Sequence, residues 1–125
     1  RKIAQMCGEQ DQLKVVDDKF GSLTFTSDFA SHMMQVVDSG RYGLYHLANR
    51  GTASRLQIAE EIVAIMGLAE KIEVLPISSA EFPLPAPRPR SEMLRNLKLE
   101  LLGMNTLPLW QDALADYIKM NVSRG

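Results

Sequence analysis

Three short strand-like runs are all that this chain offers a sheet, and they are spread among four or five helical segments. Gln12 to Asp17 carries Leu13, Val15 and Val16, Gly43 to Asn49 is a brief apolar run between glycines, and Lys71 to Ile77 alternates Ile72 and Val74 with Lys71 and Glu73. Pro76 limits the third run to a strand end or an edge. So few strands cannot close a stable sheet by themselves, and the expected fold is a small mixed α/β lobe of about five helices and three short strands, part of something larger. The sequence has 125 residues, the size of one domain. It opens at Arg1 without an initiator Met or a signal-peptide pattern, as expected of a processed product or an excised piece.

The helices announce themselves by period and punctuation. Lys2 to Cys7 reads as the last turns of a helix that begins upstream, stopped at Gly8. Thr26 or Ser27 is the expected N-cap of a helix whose stripe is Phe29, Ala30, Met33, Met34, Val36 and Val37, ending at Gly40. Met33, Met34 and Met66 are read as core residues. Ser54 and Gln57 form a capping box before Ile58, Ala59, Ile62, Ile65 and Met66, with Gly67 at the end. Asn96 to Gly103 fits a short helix with Leu97, Leu101 and Leu102 inward. Pro108 opens a last one with Trp110, Ala113, Leu114, Tyr117 and Ile118 on one face. Between them Pro83, Pro85, Pro87 and Pro89 impose an extended, polyproline-like connector.

Charge and motif spacing exclude several functions. Fourteen Lys and Arg against fifteen Asp and Glu give a net charge of -1, so no nucleic-acid or anionic-membrane surface is announced. The apolar run Ile62 to Ala69 falls far short of the roughly 18 residues a membrane span needs. The lone Cys7 allows neither an intrachain disulfide nor a Cys-Cys metal site, favours a reducing compartment, and is read as a small buried hydrophobe. The glycines never fall in a G-x-G-x-x-G spacing, so no turn of that kind cradles a dinucleotide here. Four residues after Tyr42, Tyr45 and Tyr117 stand His46, Asn49 and Asn121. The Tyr-x-x-x-Lys couple of short-chain dehydrogenases is therefore missing. H-E-x-x-H and G-x-S-x-G are missing as well.

The remaining candidates are few. His32 follows Asp28 by four residues, as in an ordinary boundary pairing, and His46, mid-strand, is expected to be a buried, hydrogen-bonded structural histidine. Asp17 and Asp18 would face opposite ways on a strand, which suits a loop-capping role better than a shared-proton dyad. Arg88 and Arg90 stand out because prolines flank Arg88 and restrict where its guanidinium fork can go. Such an arginine suits a phosphate, or else decorates a solvated connector.

Read in order, these segments resemble the dTDP-4-dehydrorhamnose reductase family. Residues 15–30, VVDDKFGSLTFTSDFA, are similar to that family's V-x-D-Q-x-G-S-P-T-x-x-x-D-L-A. Residues 43–49, GLYHLAN, resemble its G-x-Y-H-L-x-N strand, and Ser54 to Gly67 the helix after it. Residues 81–89, EFPLPAPRP, resemble E-[FY]-P-x-P-A-x-R-P; Leu94, Asn96, Lys98 and Leu99 resemble L-x-N-x-K-L; and residues 107–114, LPLWQDAL, match L-P-x-W-x-x-A-L. The chain departs from the pattern at Lys19, where the family has Gln, and at Leu23, where it has Pro.

The resemblance implies an extended short-chain dehydrogenase in two lobes, with residues 1–125 as the C-terminal, sugar-nucleotide-binding lobe. The N-terminal Rossmann domain would hold NADPH or NADH and the Tyr/Lys pair. The implied reaction reduces the C4 ketone of dTDP-4-dehydro-L-rhamnose to dTDP-L-rhamnose, for bacterial surface polysaccharide, in the cytoplasm. The implied partners are the dTDP-sugar and the chain's own Rossmann domain, with neither nucleic acid nor membrane. Arg88 is the expected diphosphate ligand, with Lys19, Ser22, Thr24 and Asn49 as further cleft residues, and no catalytic, cofactor or metal ligand falls in the chain. Two other readings are a non-catalytic relative, such as a regulatory subunit like that of methionine adenosyltransferase, and a freestanding interaction domain. A freestanding domain would expose no large apolar patch. A lobe would leave apolar faces open, for its own partner domain or for a homodimer.

Overall fold

The computed structural model describes residues 2–81, 86 and 88–121. Among them lie five α-helices, five short strands and one 3-10 turn, a small mixed α/β arrangement. Helix α1 (Lys2–Met6) leads to β1 (Gln12–Val16), β2 (Phe20–Gly21), α2 (Thr26–Asp38), β3 (Ala53–Ser54) and α3 (Arg55–Ile65). Strand β4 (Glu73–Ile77), the 3-10 turn (Ser79–Glu81), β5 (Ser91–Glu92), α4 (Leu97–Leu101) and α5 (Trp110–Asn121) follow.

Strands β1 and β4 pair in parallel, Leu13 opposite Val74 and Val16 opposite Ile77. The Glu73 amide donates across the pair to Asp11 O at 2.9 Å, so by the two-residue period the Pro76 nitrogen faces outward, where its missing N–H breaks no ladder bond. The second sheet has the order β3-β2-β5, from three strands of two residues each. None of these was expected, because two residues show no period.

Helix α3 is apolar on two sides because it separates two cores. Ile62 joins Ala53, Trp110, Leu114 and Ile118, while Val63 on its other flank joins Cys7, Leu13 and Ile72. Burial pushes the Cys7 thiol up, so it stays neutral and packs as a small hydrophobe, as expected. The α3 start is the capping box anticipated from Ser54 and Gln57: Ser54 Oγ accepts the Gln57 amide at 3.0 Å and Gln57 Oε1 accepts the Ser54 amide at 2.8 Å.

Several expectations fail, each for a physical reason. Gly43 to Asn49 is neither strand nor largely buried: Leu44 and His46 are exposed. Backbone groups of this segment bond to other partners than a strand. The Asn96 side chain holds both polar atoms of the Ala48 backbone, the Asn49 amide donates to Leu23 O, and Lys98 Nζ donates to Tyr42 O at 2.7 Å while lying 4.2 Å from the Tyr45 ring centre. Gly43, at φ 127°, lets Lys98 come close; a Cβ there would collide with its ammonium.

Helix α2 begins at Thr26 itself, with Phe25 at the N-cap and no side-chain cap bond. Its apolar stripe is not core either. Phe29, Met33, Met34 and Val37 are exposed, and the buried residue is His32, whose Nδ1 meets Asp28 O at 2.8 Å and whose Nε2 meets Thr106 Oγ1 at 3.0 Å. The Asp28 backbone, the Ser31 hydroxyl and a distant threonine, not the Asp28 carboxylate, are its partners. In α4 the inward leucine is Leu99, 1% exposed; Leu97 and Leu101 face solvent. The helix is a single turn and a half, too short for a stripe to fix its roll. The proline-rich path expected over 83–89 lies mostly outside the described residues.

Candidate functional site

The small sheet gathers cations that the sequence scatters. Phe20 of β2 lies opposite Ser54 of β3, antiparallel, and opposite Ser91 of β5, parallel. The residues beyond that row at one end are Lys19, Arg55 and Arg90, on three adjacent chain segments. Backbone bonds fix them: the Arg55 amide donates to Lys19 O at 3.2 Å, and the Phe20 amide to Arg90 O at 2.9 Å. Lys19 Nζ in turn donates to Arg88 O at 2.7 Å, tying the expected phosphate-binding arginine to the loop before β2.

Beside this row opens a cleft of about 500 Å³, within the range of small-molecule sites. Lys19, Arg55, Arg88, Ser22, Ser79 and Glu92 give it polar walls, and Val16, Leu23, Ala53 and Ile58 an apolar part. Three cations against one carboxylate leave it electropositive. A ligand with an anionic group and an uncharged remainder suits such a lining.

Of the five residues singled out in the sequence, Lys19, Ser22 and Arg88 meet here. Ser22 holds the wall in place: its Oγ accepts the Leu94 amide at 2.9 Å and donates to Leu94 O at 3.3 Å. Thr24 lies instead on a separate depression beside Asp28 and Tyr117. Asn49 is 2% exposed; its Oδ1 accepts the Phe25 amide at 2.9 Å and its Nδ2 donates to Asp28 Oδ2 at 2.7 Å. It braces the loop that leads from the cleft into α2.

Arg55 and Glu92 were missed. Arg55 follows the N-cap serine directly, a place that reads as a solvated first turn, and only the pairing of β3 with β2 turns it toward Lys19. Among the described residues no three His, Cys, Asp or Glu side chains gather to hold a metal ion.

Asp18 caps the turn at the cleft's edge, in the loop role expected for it. Its carboxylate accepts from Ser79 Oγ at 2.9 Å and from the Ser79 amide at 3.2 Å. Desolvation opposes its ionisation, but these hydrogen bonds and the adjacent Lys19 charge outweigh it and hold the carboxyl below the usual carboxylate value. Because the folded value is depressed, the unfolded chain binds the proton more readily. The contribution is full above the unfolded value of about 3.9 and fades as pH falls through the folded one. Asp18→Asn is therefore expected to lower the urea midpoint at pH 7 and to do so by a smaller margin at about pH 3, where the unfolded chain is already largely protonated at this position. A gap of equal size at both pH values contradicts this account.

Comparison with known proteins places this architecture in one family. The RmlD substrate binding domain family matches residues 1–122, and the chain belongs to that family. It is 38% identical over 116 residues to a dTDP-4-dehydrorhamnose reductase of Mycobacterium tuberculosis, a match that covers 92% of this chain and 37% of that one. The crystal structure of a dTDP-4-dehydrorhamnose reductase from Clostridium acetobutylicum superposes with a TM-score of 0.89 at 34% identity, over 95% of this chain and 42% of that one. A Bacillus anthracis dTDP-4-dehydrorhamnose reductase in complex with NADP gives 0.88 at 28% identity, over 96% and 42%. The chain thus spans about two fifths of the length of the reductases it matches.

Proposed function

We propose that this chain is the sugar-nucleotide-binding part of a dTDP-4-dehydrorhamnose reductase, joined in the intact enzyme to an N-terminal dinucleotide-binding domain that carries NADPH or NADH. The observation that carries the reading is the electropositive cleft at the end of β2, in a chain of the RmlD substrate binding domain family. Arg88 takes the diphosphate through its guanidinium fork, and Lys19 adds a point charge where the family pattern has glutamine. Ser22 and Asn49 keep the loop between the cleft and α2 in shape through Leu94, Phe25 and Asp28. Thr24, on the neighbouring depression, is placed to meet a part of the substrate or of the partner domain that extends past the cleft.

The chain's own glycine spacing does not fit a dinucleotide's diphosphate, and no Tyr is followed four residues later by Lys. Its part in the reaction is to bind and orient the C4 ketone that the other domain reduces, so the chain alone is expected to be inactive. The exposed apolar residues of α2, Phe29, Met33, Met34 and Val37, favour a lobe with a covering partner over a freestanding interaction domain. No helix among the described residues is long and apolar enough to cross a membrane; that the enzyme works in the cytoplasm is what the family resemblance implies.

In the intact protein, Arg88→Ala is expected to weaken dTDP-rhamnose binding about tenfold or more, the worth of one charge-assisted hydrogen-bonded contact. Titration calorimetry reads this directly. Unchanged affinity removes Arg88 from the site. A wild-type protein that binds no dTDP-sugar overturns the reading in favour of a protein-contact role.

A further inference from the structure

We propose that Arg55 is a second guanidinium ligand of the cleft, facing the same anion as Arg88, and that the pair makes the site select two linked phosphates over one. The identity of the ligand as a nucleotide diphosphate rests on the reading above; the two-fork anion site rests on the geometry of the cleft.

Lys19 stands between the two arginines. Its carbonyl accepts the Arg55 amide at 3.2 Å and its ammonium donates to the Arg88 carbonyl at 2.7 Å, so the segments bearing the two forks are bonded to one residue from different sides. All three side chains line the same space.

Nothing among the described residues uses the Arg55 charge. The residue is exposed, the α3 start is already capped by Ser54 and Gln57, and the ion pairs among the described residues, Arg95 with Glu100 and Lys119 with Asp116, lie elsewhere. Like charges on neighbouring strands repel. Lys19 and Arg55, neighbours across β2 and β3 and both lining the cleft with Arg88, are kept together by an anion that relieves the repulsion.

The charge count sets the kind of anion. Lys19, Arg55 and Arg88 against Glu92 leave two positive charges in the lining, equal and opposite to the two negative charges of a diphosphate diester. A single phosphate can engage one fork well; two linked phosphates can engage both. Arg55 is then a specificity-determining residue, and the discrimination disappears with it.

The test is titration calorimetry on the intact protein, with NADP at saturation, using inorganic pyrophosphate, inorganic phosphate and dTDP as probes. Arg55→Ala is expected to weaken pyrophosphate about ten- to a hundredfold and phosphate much less. Arg55→Lys, which keeps the charge and loses the fork, falls between. Arg41→Ala, an exposed cation away from the cleft lining, leaves both unchanged, and circular dichroism confirms that each variant is folded. Pyrophosphate affinity that survives Arg55→Ala overturns the proposal, as does an equal loss for both anions. Dependence of pyrophosphate on Arg55 without dTDP binding by any form upholds the two-fork site and sinks the nucleotide-sugar reading. Equal dTDP affinity with and without Arg55 does the reverse. A wild type that binds none of the three probes sinks both.

Discussion

Trp110→Ala is expected to destabilise the protein by about 3–5 kcal/mol, the usual cost of truncating a buried large aromatic residue, set against roughly 5–15 kcal/mol for a whole domain. Trp110 is 5% exposed and heads α5 in the cluster with Ala53, Ile62, Leu114 and Ile118. It also ties the end of the Gly43–Arg50 segment down, since its amide donates to Arg50 O at 3.0 Å. Its indole edge lies about where a Cβ at Gly51 would begin to press, 3.0 Å away, and Gly51 holds φ 88°. Collapse around the missing ring is therefore limited by backbone on one side and by α3 on the other, which puts the cost toward the upper end. The substitution removes the chain's one tryptophan, so the urea midpoint is followed by circular dichroism. A loss below about 1 kcal/mol contradicts this packing.

Asn96→Ala is expected to lose about 2–4 kcal/mol, although it deletes only an amide. Asn96 is 5% exposed; its Oδ1 accepts the Ala48 amide at 3.0 Å, and its Nδ2 donates to Ala48 O at 2.7 Å and to Asn105 Oδ1 at 3.1 Å. Ala48 is itself buried, at 1% exposure. Removing the amide leaves a backbone donor and a backbone acceptor without partners out of water, at about 1–3 kcal/mol for each buried group. Asn96→Asp tests the same point differently: it keeps the acceptor but sets a carboxylate oxygen against two carbonyl oxygens, so it rescues little. Hydrogen exchange at the Ala48 amide should quicken in both variants. Exchange and midpoint both unchanged would show that the Gly43–Asn49 segment is held by something other than Asn96.

How much was legible depended on the reach of each signal. The capping box at Ser54 and Gln57 closes over three residues, so it reads from the sequence and reappears atom for atom in α3. The face of α5 reads equally well because twelve residues let a 3.6-residue period show itself. Helix α2 has just as clear a stripe, yet the stripe lies outward and a histidine faces in. Period tells which residues share a face, and only the neighbours decide whether that face is covered. The Gly43–Asn49 segment fails for a related reason, since an apolar run looks like a strand until Asn96 is known to hold its backbone and Lys98 that of Tyr42 just before it.

The cleft divides in the same way. Lys19, Ser22 and Arg88 were singled out from local pattern and family resemblance, and the fold brings these three together over 69 positions of sequence between the first and last. Arg55 carried no local signal. Its place beside Lys19 follows from an antiparallel pairing of two-residue strands, each too short to have a period of its own.

By itself, then, the sequence determined the helices α3 and α5, the β1 and β4 strands, the mixed α/β class and the family, because caps, periods and ordered motifs are properties of neighbouring residues. Tertiary structure alone decided that α2 turns its apolar side to solvent, that Asn49 and Asn96 are braces inside the chain, and that Arg55 joins Lys19 and Arg88. Those outcomes depend on which distant backbone amides and carbonyls find partners, and a chain's local chemistry leaves that choice open until the segments meet.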